Sequence, residues 1–160
     1  MPDNAMSIAT LEVPRVSWQP NELGTKLRNE GVMAINMVRE KNNLPPLELD
    51  SDISWNAGGH AAYISETQKV QEAAPYCLQG QQEMRDLCFR GITVDPKEIM
   101  ESIVTKWRKS QNEESKILNP NARLIGVGSH IEERLTQNII IVVVRIAEDI
   151  RSHIAETIAA

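Results

Sequence analysis

The sequence predicts an α+β fold, a three-layer α-β-α sandwich, on three observations. Two helical stretches of apolar spacing follow a proline-broken arm, a third helix opens at a strong capping signal, and the run Asn138 to Ala147 carries Ile and Val on both faces. A strand covered on both sides needs a helical layer on each. The 160 residues suffice for one domain with a full core, since single domains commonly hold about 100–150 residues. The expected division is an extended arm at 1–21, the domain at 22–147 and a C-terminal helix packed on it at 148–160.

In the arm, Leu11, Val13, Val16 and Trp18 are apolar, while Pro14 and Pro20 forbid a helix and discourage a central strand. Trp18 reads as its anchor. Leu23, Leu27, Ala34, Ile35 and Val38 keep helical spacing up to about Lys41, and Asn42-Asn43 with Pro45-Pro46 end that helix. Asp50 or Ser51 caps a second helix, in which Ile53, Asn56, Ala57, His60, Ala61 and Ile64 share one stripe that fades by about Val70. Gly58-Gly59 costs this helix about 1 kcal/mol per glycine relative to Ala, which points to another backbone passing close by.

Residues 71–85 read as a loop with a short helical turn around Gln81 to Arg85, followed by a short strand from Leu87 to Ile92. Asp95-Pro96-Lys97-Glu98 then starts a helix, with a capping carboxylate, a Pro where its missing N–H is harmless, and a Glu placed to reach back. Ile99, Ile103 and Trp107 continue it. Asn119-Pro120-Asn121 makes a turn before a strand at Leu124 to Gly128, then comes the Asn138–Ala147 strand and a last helix through Ile150, Ile154 and Ile158. The order is helix, helix, strand, helix, strand, strand, helix.

A net charge of -5 leaves no basic surplus for a phosphate backbone, so nucleic acid is not an expected partner. The longest apolar run, Ile139 to Val144, is far short of the roughly 18 residues of a membrane span. Met1-Pro2-Asp3-Asn4 lacks the charged head and apolar middle of a secretory signal, consistent with a cytoplasmic chain or one whose signal has been removed. Cys77 and Cys88 have neither a zinc spacing nor a His pair beside them. They close a loop disulfide in an oxidising compartment or remain two small apolar residues in a reducing one.

Several features have sufficient structural readings. Lys106-Trp107-Arg108-Lys109 complements a helix C-terminus. Trp55, Trp107 and Tyr63 read as core aromatics, with the lining of an apolar groove as the alternative. Gly126-Val127-Gly128 is no phosphate loop, because no Lys-Ser or Lys-Thr follows, and reads as tight strand–helix packing. Ser110 and Ser115 have no signalled base or oxyanion hole, so no catalytic residue is assigned. His60 is either a satisfied core histidine or a residue lining a cleft, and Glu113-Glu114 reads as a solvated turn.

Asn36-x-x-Arg39, Leu44-Pro45-Pro46-Leu47, Asp50, Ala57-x-x-His60-Ala61, Trp107-x-x-Ser110, Ile117-Leu118-Asn119-Pro120 and Ile125-Gly126-Val127-Gly128 follow one another in order. Over about residues 30 to 147 this series resembles the CAP superfamily, the cysteine-rich secretory, antigen 5 and pathogenesis-related 1 group, in its bacterial SCP-like branch. The resemblance implies the α-β-α sandwich already expected. It also implies a cleft that in members with the full site carries two His and acidic residues, with a divalent metal in some.

By that resemblance His60 stands at the first His position, while Glu113 replaces the second His. The Gly-Glu-Asn motif before the middle strand is missing, leaving Asp86 as the nearest acid and Glu83 as the next. The implied cleft set is His60, Asp86, Ser110 and Glu113, and its candidate metal ligands are His60 and Glu113, for zinc or magnesium. His130 lies beyond the Gly126–Gly128 strand, and no spacing brings it to His60. The expected function is a non-enzymatic binding protein, extracellular or periplasmic by resemblance, whose cleft near His60 and loop 71–85 contact a protein, glycan or lipid. The alternatives are a divalent-metal hydrolase or metal-binding module in which metal-bound water attacks, and an assembly role in which the arm and last helix dock on another subunit.

Overall fold

The chain runs α1 (Pro20–Lys41), β1 (Glu48–Leu49), α2 (Ser51–Thr67), β2 (Gln81–Arg90), α3 (Pro96–Arg108), α4 (Gln111–Ile117), β3 (Leu124–Glu133) and β4 (Asn138–Ala147). The computed structural model describes residues 20–68, 81–91 and 93–148. The arm with Trp18, most of the expected loop with Cys77, and the last helix through Ile150, Ile154 and Ile158 lie outside the described residues.

Helix α1 buries Leu23, Leu27, Gly31, Ile35 and Val38, spacings of four and then three residues that keep one stripe on the sheet. It ends where Asn43 adopts φ 61°, a left-handed geometry that Asn tolerates. The proline loop that follows is then tied back onto the helix. Asn36 Nδ2 donates to Leu47 O at 3.1 Å, and Leu47 N–H donates to Asn36 Oδ1 at 2.8 Å. Arg39 donates from Nε to Pro45 O and from Nη1 to Ile117 O and Asn119 O, each at 2.9 Å. Arg39 is fully buried, and burial, followed by the charge of Arg123, lowers its pKa. Its acceptors include the last carbonyl of α4, where the helix dipole favours a cation. The Asn36-x-x-Arg39 pair thus holds the loop that delivers the chain to β1.

The sheet order is β1-β3-β4-β2, with β1 parallel to β3 and the other pairs antiparallel. Every residue of β4 is buried, as its two-sided apolar run requires. Ile140, Val142, Val144 and Ile146 pack with α1 and α3, while Ile141 and Val143 pack with Ala57, Ala61 and Ile64 of α2. Helices on both faces make the α-β-α sandwich.

The approach of α2 to β3 is set by glycine. A Cβ at Gly126 would strike Ile53 and the Ser54 backbone, and one at Gly128 would strike the Ala57 and Gly58 backbone. The close backbone expected from Gly58-Gly59 is therefore β3, and it touches Gly58 only, since nothing lies near a Cβ at Gly59. Strand β1 ends after Asp50 N–H bonds to Ile125 O at 2.9 Å. One step on, Ser54 Oγ accepts the Val127 N–H at 3.0 Å, so α2 takes over from the missing strand.

Six local expectations are corrected. Strand β2 begins at Gln81 rather than Leu87, because its buried polar residues Glu83 and Asp86 disguise the strand pattern. Glu113 and Glu114 lie in α4 rather than a turn, with Ser110 as its cap. Strand β3 continues past Gly128 to Glu133, so His130 lies within it, opposite Ile141. Asp95 caps α3, but Glu98 turns instead to Arg90, at 3.1 and 3.2 Å. On α2, Ser54 rather than Asn56 joins the buried stripe, and Trp55 is 82% exposed, with Tyr63 also on the surface, whereas Trp107 is buried as expected.

Two stability predictions follow from these contacts. Gly128→Ala should lower stability in urea by about 1–3 kcal/mol, because α2 must shift, whereas Gly59→Ala, into open space, should raise it by up to about 1 kcal/mol. Arg39→Met should cost about 3 kcal/mol in the same assay, since buried carbonyls lose a charged donor.

Candidate functional site

His60 owes its position to the seating of α2. The helix starts at Asp50, whose Oδ1 accepts the Ile53 N–H at 2.9 Å, and its buried stripe of Ile53, Ser54, Ala57, His60, Ala61 and Ile64 runs along the sheet. In the sheet, Glu83 of β2 pairs with Arg145 of β4, so both side chains rise from the same face. Arg145 Nε donates to Glu83 Oε1 at 2.8 Å. His60 Nδ1 and Arg85 Nε each lie 2.9 Å from Glu83 Oε2.

Those two contacts are close but poorly aligned, and no directed hydrogen bond reaches Oε2 or either His60 ring nitrogen among the described residues. They are close polar contacts rather than directed bonds. The His60 and Arg145 side chains are only 2% and 1% exposed. Two guanidinium groups therefore converge on one buried carboxylate, which compensates the desolvation that an unpaired charge would suffer there.

Asp86, Ser110 and Glu113 line a groove of about 620 Å³ beside β2, α3 and α4, together with Arg85, Lys106 and Lys116. Each is already engaged. Asp86 Oδ1 accepts from Lys106 Nζ at 2.7 Å, and Ser110 Oγ accepts the Glu113 N–H at 3.4 Å as the α4 cap. Glu113 Oε1 accepts from Asn112 Nδ2 at 2.9 Å and Lys116 Nζ at 3.1 Å, and Lys116 also donates to Glu83 O at 2.9 Å. The structure thus brings three of the four expected cleft residues together. His60 does not line the groove; it lies under α2, linked to it through Glu83, which faces both.

The donor set does not fit a metal ion. Among the described residues no three His, Cys, Asp or Glu side chains converge as ligands, and a zinc site ordinarily draws on three or four. Glu83 is held by Arg145 and Arg85, while Glu113, the ligand expected with His60, is held by Lys116 and does not contact His60. Cys88 adds no nucleophile, since burial pushes its thiol up to about 11 and it stays protonated at neutral pH. The disulfide expectation involves Cys77 and so falls outside the described residues.

Sequence reasoning ranked Glu83 behind Asp86 and missed Arg85 and Arg145. A signal for Arg145 was present, a single charge inside an otherwise apolar run that must find a buried counter-charge. Nothing in the spacing pointed to Arg85.

The sequence pattern of the cysteine-rich secretory protein family, CAP, matches residues 32–145. No curated protein matches. Among solved structures, the chain is similar to an extracellular protein containing an SCP domain from Bacillus anthracis, at 13% identity and a TM-score of 0.57 over 81% of this chain and 43% of that one. It is also similar to a cysteine-rich secretory protein from Staphylococcus aureus, at 13% identity and TM-score 0.53 over 83% and 42%. A structure of NaASP2 with Zn2+ matches at 10% identity and TM-score 0.56 over 76% and 78%. At these identities the likeness is one of fold, and the chain spans less than half of either bacterial protein.

The buried cluster makes a direct prediction. Glu83→Gln should destabilise the protein by about 3–5 kcal/mol, because two guanidinium groups lose their carboxylate. Glu83→Leu combined with Arg145→Leu should cost less in urea unfolding than the two single changes added together.

Proposed function

This chain belongs to the cysteine-rich secretory protein (CAP) family, and from that premise we propose that it is a non-enzymatic, extracytoplasmic binding protein whose groove beside β2 takes a protein or glycan ligand. The observation that carries this reading is the engagement of Glu83 by Arg145 at 2.8 Å and Arg85 at 2.9 Å, beside a polar groove. A carboxylate held by two guanidinium groups is a poor general base and a poor metal ligand, because either role requires it to give up those partners. The zinc named with NaASP2 has no matching donor set among the described residues here.

The groove offers Lys106, Lys116, Ser110, Asn112, Asp86 and Glu113 at its surface, an alternation of donors and acceptors suited to hydroxyls and amides. Such a lining favours a polar ligand over a lipid chain, which needs a mainly apolar wall. An extracytoplasmic place is supported by the extracellular bacterial relative. No helix among the described residues is long and apolar enough to cross a membrane.

Immobilised glycans, peptides and lipid vesicles test the reading. The wild type should retain a glycan or peptide, and Glu113→Ala with Lys116→Ala should weaken that binding about tenfold or more, the equivalent of one lost hydrogen bond. Retention of no polar ligand, together with an ester or peptide hydrolysis that His60→Ala abolishes, would sink the proposal.

A further inference from the structure

A second groove, of about 650 Å³, lies at the opposite edge of the sheet from the first. Its floor is β3 at Val127 and Ser129, and its walls are α1 at Gly24 and Arg28 and α2 at Trp55 and Gly59. Beyond Ile125 no strand lies on the outer side of β3, away from β4, among the described residues, because β1 pairs only with Leu124 and Ile125. The two helices flank this edge from opposite faces. Gly31 of α1 sits over Val127, and a Cβ on Gly24 would lie 3.6 Å from Ser129 Oγ, whereas α2 seats on Gly128. The result is a slot with a strand edge at its bottom. Trp55 stands 82% exposed at its rim, and the buried Nε of Arg28 has no hydrogen-bond partner among the described residues.

An open strand edge is a template for an extended peptide, which gains main-chain bonds from the edge and side-chain contacts from the walls. We infer that the occupant is this chain's own N-terminal segment, residues 1–19, laid along the outer edge of β3 between α1 and α2. Position argues for it, since the segment enters α1 at Pro20, one helical turn before Gly24 in the wall. So does reach, because at about 3.3 Å per extended residue residues 1–19 outrun the outer edge of β3 from Val127 to Glu133. Its composition agrees as well. Leu11, Val13, Val16 and Trp18 are apolar and can cover Trp55, and Pro14 is tolerated in an edge strand.

The test uses the full chain with Cys77 and Cys88 replaced by serine and a nitroxide label on Val16→Cys. The label should broaden the amide signals of Ser129 and Ile131 and the indole N–H of Trp55 beyond detection, independently of protein concentration. Gly59→Phe, built into open space, should fill the slot and restore those signals while leaving the remaining spectrum and the melting temperature near wild type. Trp55→Ser gives a second route to weaken the contact should Gly59→Phe fold poorly. Absence of broadening, or broadening unchanged by both variants, overturns the inference. Broadening that grows with concentration overturns it too, assigning the slot to the segment of a second copy.

Discussion

The contact between the backbone of α2 and the two glycines of β3 is the constraint on which the rest of the molecule depends. Any side chain at Gly126 or Gly128 would overlap main-chain atoms of α2, so the helix can rest on the strand only where both are bare. Seated there, α2 lends Ser54 to the open N–H of Val127 and carries His60 to Glu83 on β2. The same seating leaves the remaining edge of β3 at the bottom of a slot. One packing event therefore shapes both the buried charge cluster and the second groove.

The two fully buried arginines show two solutions to one electrostatic problem. Arg145 projects from β4 and is matched in register by a carboxylate, Glu83. Arg39 meets no carboxylate among the described residues; carbonyls of the proline loop, of the α4 terminus and of Asn119 surround it instead. Both arrangements join segments far apart in sequence, which ties the charge to the assembled fold rather than to any single element. Against that background the polar groove is made of side chains already paired with one another. Ligand binding there need not strip a charge of its only partner, whereas catalysis at Glu83 would.

Legibility in the sequence followed the physics of each segment. The β4 run and the α1 stripe were plain because apolar burial alone determines them, and the Gly126-Val127-Gly128 reading as tight packing followed from the absence of any phosphate-loop residues. Strand β2 was obscured because it buries Glu83 and Asp86, and their stabilising partners, Arg145 and Lys106, come from elsewhere in the chain. Trp55 misled for the opposite reason, as a large aromatic on a helix that the packing of α2 turns to solvent. Of the expected cleft set, Asp86, Ser110 and Glu113 line one groove, whereas His60 is not in its lining. Its actual partner, Glu83, was within sight as the second acid, but the arginines that define its chemistry were not.

Arg145 and Arg85 hold Glu83 in ion pairs, and on that pairing His60 and Glu83 do not act as a metal centre. Nitrogen NMR of the His60 ring during titration with zinc tests it most directly. The Nδ1 and Nε2 resonances of His60 should stay in place up to a stoichiometric equivalent of zinc. A stoichiometric shift of either nitrogen, lost in Glu83→Gln, would contradict it.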